Sequence, residues 1–245
     1  MLRWDASPLE ALLLDLDDTL LDNRAGLAAA KDRLAALLAL RLGDVEPGRV
    51  RARFDAASSW FWSDDARHRW GRLDMLAARR AIVVRTLGEL GRPEPALAAE
   101  AAAFYSELRD RSHVLFEGAL DALARLRART PRLGLVTNGA AAAQRAKIER
   151  FDLAGYFDVI VVEGEFGAGK PDARVFAHAS AALGADPSRA LMAGDDYACD
   201  VLGAQRAGLH AVWIDRDGRP APPHRPPRPH RTLPSVVDLA DALEG

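Results

Sequence analysis

The sequence predicts an α/β protein with a doubly wound parallel sheet, whose first strand is followed by an inserted, all-helical domain. Two observations carry that expectation. From Phe116 onward, short apolar runs alternate with amphipathic helical stretches, the pattern of parallel strands joined by crossover helices. Between about residues 24 and 112, helical stretches rich in Ala and Leu follow one another with no strand-like run among them. A lone apolar strand before that region therefore has to find its partners after it. The expected domains are a Rossmann-like core of residues 1–23 and 113–245 and a helical insertion of residues 24–112.

The first strand is Ala11-Leu12-Leu13-Leu14, an apolar run followed by acidic, turn-like residues, as expected of a strand buried on both faces. In an extended chain, residues two apart face the same side, so Asp15 and Asp17 would share one site if the strand geometry persists. Two such carboxylates repel by roughly 4 kcal/mol at an effective dielectric of about 20. They stay together only if a cation neutralises them or one keeps its proton. Either outcome suits an active site better than a core.

Residues 27–42 form an amphipathic helix that ends near Gly43. Residues 49–62, 72–90 and 95–109 are three more helices, the second of these closed by Gly91 and Pro93. Beyond Phe116 the predicted order is helix 117–129, strand 133–137, helix 140–151 and strand 159–162. Asp172 is the N-cap of a helix to Leu183 that Gly184 ends. Strand 190–193, a helix from about 200 to 207 and a last strand 211–214 complete the sheet. Residues 217–234, rich in Pro, Arg and His, are expected to be an exposed loop before a terminal helix 235–243.

With 245 residues, 49% apolar and 28% charged, the chain suits one large domain or a core with a moderate insertion. A net charge of −2 supplies no global field to draw nucleic acid or an anionic membrane. The single cysteine, Cys199, excludes an intrachain disulfide and fits a reducing compartment. No apolar run reaches the ~18 residues of a spanning helix, and Met1-Leu2-Arg3-Trp4-Asp5 lacks a signal layout. The expectation is a cytoplasmic monomer or homodimer with no nucleic-acid or membrane partner.

Each strand end then carries chemistry. The first delivers Asp15 and Asp17; the second delivers Thr137-Asn138-Gly139, where an opening helix N-terminus suits an anionic phosphate. The loop after the third holds Gly169-Lys170-Pro171-Asp172, and the fourth ends in Gly194-Asp195-Asp196, with Asp200 five residues beyond Asp195. Carboxylates, a hydroxyl and a lysine thus converge on the carboxyl edge of the sheet, where open α/β folds place their sites. Each residue alone has an ordinary structural use; all four motifs in order at successive strand ends do not.

These motifs, Asp15-Leu16-Asp17-Asp18-Thr19-Leu20, Thr137-Asn138-Gly139, Lys170-Pro171-Asp172 and Gly194-Asp195-Asp196 with Asp200, resemble the four motifs of the haloacid dehalogenase superfamily. The resemblance spans essentially the whole chain, and the helical insertion is similar to that family's cap. Dehalogenases share the first aspartate but lack the second two residues later, so Asp17 places the resemblance in the phosphatase branch. It implies a Mg²⁺-dependent phosphomonoesterase acting on a small phosphorylated metabolite, such as a nucleotide, a sugar phosphate or a phosphoglycolate-like ester. Asp15 would be the nucleophile that forms an aspartyl-phosphate, and Asp17 the acid and then base. Asp15, the backbone carbonyl of Asp17 and Asp195 would hold the metal. Thr137, the amide of Asn138 and Lys170 would bind the phosphoryl group, and Asp200 would orient Lys170 or a metal-bound water.

Asp196 stands where the family often has Ser, and is expected to turn away from the metal or cap a helix. Ala173 replaces a proline common in relatives, with little consequence expected. Rival readings are a phosphomutase with the same nucleophile, a non-catalytic binder that keeps an anion pocket and, behind them, a 2-haloacid dehalogenase. In the insertion, Trp60, Phe61, Trp62, Arg67, His68, Arg69, Trp70, Arg72 and Arg80 either select substrate or pack and solvate the helices, and packing is the simpler use. His113 and His178 are read as structural, His224 and His230 as members of a solvated loop, and Cys199 as packing.

Overall fold

A computed structural model describes residues 3–4, 7–220 and 228–243 of the chain. It divides into two compact units, one of Met1–Asp22 with Leu115–Gly245 and the other of Asn23–Val114. His224 and the central part of the Pro/Arg/His tract lie outside the described residues.

The first unit is built on a parallel sheet with six strands among the described residues: β1 (Ala11–Leu14), β2 (Leu133–Thr137), β3 (Val159–Val162), β4 (Ala190–Gly194), β5 (His210–Ile214) and β6 (Arg231–Leu233). Their order across the sheet is β6-β5-β4-β1-β2-β3, and every pairing is parallel. The chain builds outward from β1 on one side, then crosses to build the other, so β1 and β4 flank the point where strand order reverses.

Both sheet faces are covered, which is why the strands read as unbroken apolar runs. Leu12, Leu14, Leu133, Leu135, Leu191 and Val212 point into one core with the helix residues Leu123, Leu126 and Leu239. Leu13, Val136, Met192 and Trp213 point into the other, against Val175, Phe176 and Val201. At ~2 kcal/mol for each fully buried leucine, the Leu12, Leu13 and Leu14 run pins β1 at the centre.

The second unit, all of whose residues are described, is a bundle of five helices: α1 (Leu27–Leu42), α2 (Pro47–Trp62), α3 (Asp65–Leu73), α4 (Met75–Glu89) and α5 (Pro95–Ser112). The expected single helix over residues 72–90 is corrected. Asp74 takes a non-helical backbone, φ −139°, and its carboxylate accepts the N–H of Ala77 at 3.0 Å. It ends α3 and caps α4 at once, because a short side chain that satisfies an orphan N–H outcompetes the continuing helix.

The bundle core holds Leu34, Leu38, Phe54, Phe61, Ile82, Leu87 and Tyr105, with Ala98, Ala101 and Ala102 of α5 small enough for close approach. Phe54 meets Tyr105 edge-on, with centroids 5.1 Å apart. The residues offered two uses divide between them. Phe61 is core, and Gly71 sits where a Cβ would come within 2.6 Å of its ring. Trp62 meets His68 edge-on. Trp60, 37% exposed, is held beneath the guanidinium groups of Arg67 and Arg85, at 4.0 and 4.2 Å.

The remaining helices flank the sheet: α6 (Ala119–Arg129), α7 (Ala141–Arg150), α8 (Glu163–Phe166), α9 (Ala173–Ala182), α10 (Gly203–Arg206) and α11 (Val236–Ala242). A helix expected from residue 200 instead starts as a π-type turn, Tyr197–Leu202, capped by Asp196 through the N–H groups of Ala198 and Cys199. Residues 217–234 are not loop throughout. Arg231–Leu233 pairs with Val212–Ile214 as the edge strand β6, beyond the strand expected to be last. His230, exposed in the bend just before β6, is hydrogen-bonded to β5. Its Nδ1 accepts the N–H of Ala211 at 3.1 Å and its Nε2 lies 3.1 Å from Nδ1 of His210. His178 stacks on Phe166. Among the described residues, no helix is long and apolar enough to cross a membrane.

Candidate active site

The strand ends of the core unit gather the site. β1 stops at Leu14, and Asp15 follows with its N–H donated to the carbonyl of Ala193 at 3.0 Å. That bond sets the nucleophile candidate beside the end of β4. The Asp15 carboxylate is buried and accepts from Lys170 Nζ at 2.6 Å, with Thr19 Oγ1 at 3.4 Å on its other oxygen.

Lys170 is also buried, and its ammonium bridges Asp15 to Asp200, each at 2.6 Å. Asn138 holds the lysine from behind. Its Oδ1 accepts the Lys170 N–H at 2.7 Å and its Nδ2 donates to the Lys170 carbonyl at 2.8 Å. Gly169 has no alternative here, since a Cβ would come within 2.4 Å of Glu163 and 2.7 Å of Asn138.

Asp195 follows β4, and its carbonyl accepts the indole N–H of Trp213 at 2.9 Å. Asp200 hangs from the π-type turn and accepts the N–H of Asp196 at 2.9 Å. Gly194 makes room for it: a Cβ there would lie 2.3 Å from the Asp200 carboxylate. Asp15, Asp195 and Asp200 each offer a carboxylate oxygen, and these three atoms lie within 4.8 Å of one another. Such a set of hard oxygen donors is able to hold a metal ion.

The electrostatics express this crowding. Burial pushes the Asp195 carboxyl up to about 9, and the charges of Asp15, Asp200, Asp18 and Asp196 add to the rise. Burial also pushes Asp15 up to about 7 against the pull of Lys170, and raises Asp200 for the same first reason. Burial opposes the charge on Lys170, yet Asp15 and Asp200 outweigh it and hold its pKa above the ordinary lysine value. A site this rich in destabilised carboxylates favours a cation.

Asp17 goes elsewhere than the expected shared side of a strand. Strand β1 ends at Leu14, and Asp18 adopts a left-handed backbone, φ 57°. The Asp17 carboxylate faces α7, where Lys147 Nζ contacts its two oxygens at 2.7 and 2.9 Å and Gln144 Nε2 donates to it at 2.8 Å. The side chain grouped with Asp15 and Asp195 is that of Asp200. Thr137, buried at the end of β2, joins the Asp17 cluster because Gln144 Nε2 also donates to its Oγ1 at 2.5 Å.

Gln144, Lys147 and Glu163 were not singled out in the sequence. Glu163 is buried and accepts the N–H of Gly139 at 2.8 Å, bracing the Thr137-Asn138-Gly139 turn. For the pair on α7 a signal existed: positions i and i+3 share a helix face, and side chains lean toward the N-terminus. Here that end abuts the Thr137 turn.

A parallel sheet with a buried lysine and three clustered carboxylates at its carboxyl edge defines an α/β protein with an acidic site able to hold a cation. The family model for haloacid dehalogenase-like hydrolases matches residues 9–208. The chain belongs to that family, and it is a phosphatase. A phosphoserine phosphatase of Thermus thermophilus is 36% identical, with 96% of this chain and all of that protein covered. A glyceraldehyde 3-phosphate phosphatase of Methanopyrus kandleri is 29% identical, with 85% and 84% covered. Among solved structures, a magnesium-bound hydrolase of the same family from Bacillus subtilis superposes with a TM-score of 0.75. It is 23% identical, with 98% of this chain and all of that one covered.

Proposed function

We propose that the protein hydrolyses a small phosphate monoester through a phosphorylated Asp15. The observation that carries this reading is the buried Asp15 carboxylate, bound by Lys170 at 2.6 Å and grouped with Asp195 and Asp200 within 4.8 Å. A structural ion pair needs no third and fourth charge, and leaving them together costs stability.

In this mechanism an Asp15 oxygen attacks phosphorus and the bond to the ester oxygen breaks. Asp17 gives a proton to the departing alkoxide, then accepts one from the water that cleaves the aspartyl-phosphate. Inorganic phosphate leaves and Asp15 is restored. Lys170, the Thr137 hydroxyl and the N–H of Asn138 hold phosphoryl oxygens as negative charge builds. Asp200 keeps the Lys170 ammonium aimed at Asp15. Mg²⁺, held by Asp15, Asp195 and the carbonyl of Asp17, would neutralise charge between the anionic nucleophile and the anionic ester.

Phosphoserine and glyceraldehyde 3-phosphate, on which the two relatives act by name, support a small phosphorylated metabolite as substrate. Every residue given a chemical role lies in the core unit. The test is phosphate release from a panel of metabolite phosphates, with and without Mg²⁺, for wild type and Asp15→Asn. The expected result is metal-dependent turnover on one chemical group, lost in the variant. Full activity of folded Asp15→Asn would refute the nucleophile assignment.

A further inference from the structure

Gln144 and Lys147 sit one turn apart on α7, in none of the motifs assigned a role, yet two of the reacting groups depend on them. Lys147 can only donate, and it contacts the Gln144 side-chain oxygen at 2.9 Å. That contact settles which end of the amide is which. The Gln144 nitrogen must then face the other way, where its two N–H groups meet Asp17 Oδ2 at 2.8 Å and Thr137 Oγ1 at 2.5 Å. A hydroxyl that accepts from Gln144 keeps its own proton for another partner. Its nearest one in the protein, the carbonyl of Asn138, is 3.5 Å away, too long for a good hydrogen bond. Meanwhile Lys147 holds both Asp17 oxygens.

We propose that Gln144 and Lys147 are positioning residues: they set the aim of the Asp17 carboxylate and reserve the Thr137 hydroxyl proton for a phosphoryl oxygen of the substrate. The inference rests on the phosphatase reading above. Gln144 is buried, so its orientation is fixed by these bonds and not by solvent. Lys147 is partly exposed, so it can swing off Asp17 Oδ1 and leave that oxygen to carry the proton that the leaving group takes, without unpacking the helix. The pair divides the work. Lys147 acts mainly through Asp17, on the proton that the leaving group takes, and steadies the Gln144 amide from its oxygen side. Gln144 acts through Thr137 as well, on the phosphoryl group common to every ester.

The experiment compares two ester classes. p-Nitrophenyl phosphate has a leaving group that departs with little help from a proton, whereas an alkyl phosphate such as phosphoserine needs one. Lys147→Met is expected to lower kcat on the alkyl ester by about 10- to 100-fold, part of what a general acid contributes. The fall on p-nitrophenyl phosphate should be at least about ten times smaller, with KM little changed and Lys147→Arg recovering most of the loss. Gln144→Met should lower kcat on both esters and raise the inhibition constant of inorganic phosphate about tenfold, the worth of one lost hydrogen bond. Equal losses on both esters in Lys147→Met, or none, would overturn the proposal, as would an unchanged phosphate inhibition constant in folded Gln144→Met. If Gln144→Met does not fold, the ester comparison in Lys147→Met decides alone, since that side chain is partly exposed. Asp15-dependent turnover of the wild type leaves the phosphatase reading standing whichever result Lys147→Met returns.

Discussion

Lys170→Met would remove the one ammonium that bridges Asp15 to Asp200 at 2.6 Å on either side. Asp15, Asp195 and Asp200 would be left with oxygens within 4.8 Å of one another and no fixed cation. Each pair of ionised carboxylates at that limit repels by about 3.5 kcal/mol at an effective dielectric of about 20. Some of this is relieved by protonation, because burial and neighbouring charge have already raised Asp195 to about 9 and Asp15 to about 7. Deleting one partner of a buried pair costs about 3–5 kcal/mol, and that is the loss expected in EDTA at pH 8. With a urea m-value of about 2–3 kcal/mol/M, the midpoint falls by about 1.5 M. Saturating Mg²⁺ should restore part of it, and at pH 5 the loss should shrink as the carboxyls take up protons. Urea unfolding of wild type and variant under these three conditions is the assay. A midpoint within about 0.3 M of wild type in EDTA at pH 8 would show that Lys170 does not hold the cluster together.

Three further outcomes follow from the same geometry. The folded pKa of Asp195 lies above its unfolded value, rising from 3.8 to about 9, so between those values the unfolded chain binds fewer protons than the folded one. The metal-free protein should therefore lose stability as pH climbs through that window, and Mg²⁺ should expel about one proton on binding at pH 7.5. Calorimetric titration in two buffers of different ionisation enthalpy measures this, and binding heats independent of buffer would contradict it. Gly169→Ala should cost about 1–3 kcal/mol by overpacking, since its Cβ would meet Glu163 at 2.4 Å and Asn138 at 2.7 Å. It should also lower kcat, because Asn138 is what holds the Lys170 backbone. A variant as stable and as active as wild type would mean that the loop yields freely.

The sequence by itself determined the fold class and the placement of Asp15, Thr137 and Asp195 at strand ends, and the reason is periodicity. Runs such as Ala11–Leu14 and Leu133–Thr137 are apolar on both faces only if helices cover both sides of a parallel sheet. In that topology every strand end falls on one edge, so Asp15, Thr137 and Asp195 had to share it. The break at Asp74 and the edge strand Arg231–Leu233 were hidden for a related reason: a single cap hydrogen bond and a three-residue strand are too short to leave a period.

The pairing of side chains was decided only by the tertiary structure. Asp15 and Asp17, two apart, take different partners: Asp15 pairs with Lys170, and Asp17 with Lys147 and Gln144 of α7. Asp200 joins Asp15 and Asp195 because Gly194 leaves space for its carboxylate and a π-type turn delivers it. Gln144 and Lys147 reach Asp17 across more than 120 residues of chain. Spacing along the chain encodes local conformation, whereas the partner of a carboxylate is set by where distant backbones cross. Those crossings are fixed by packing, which linear order does not record.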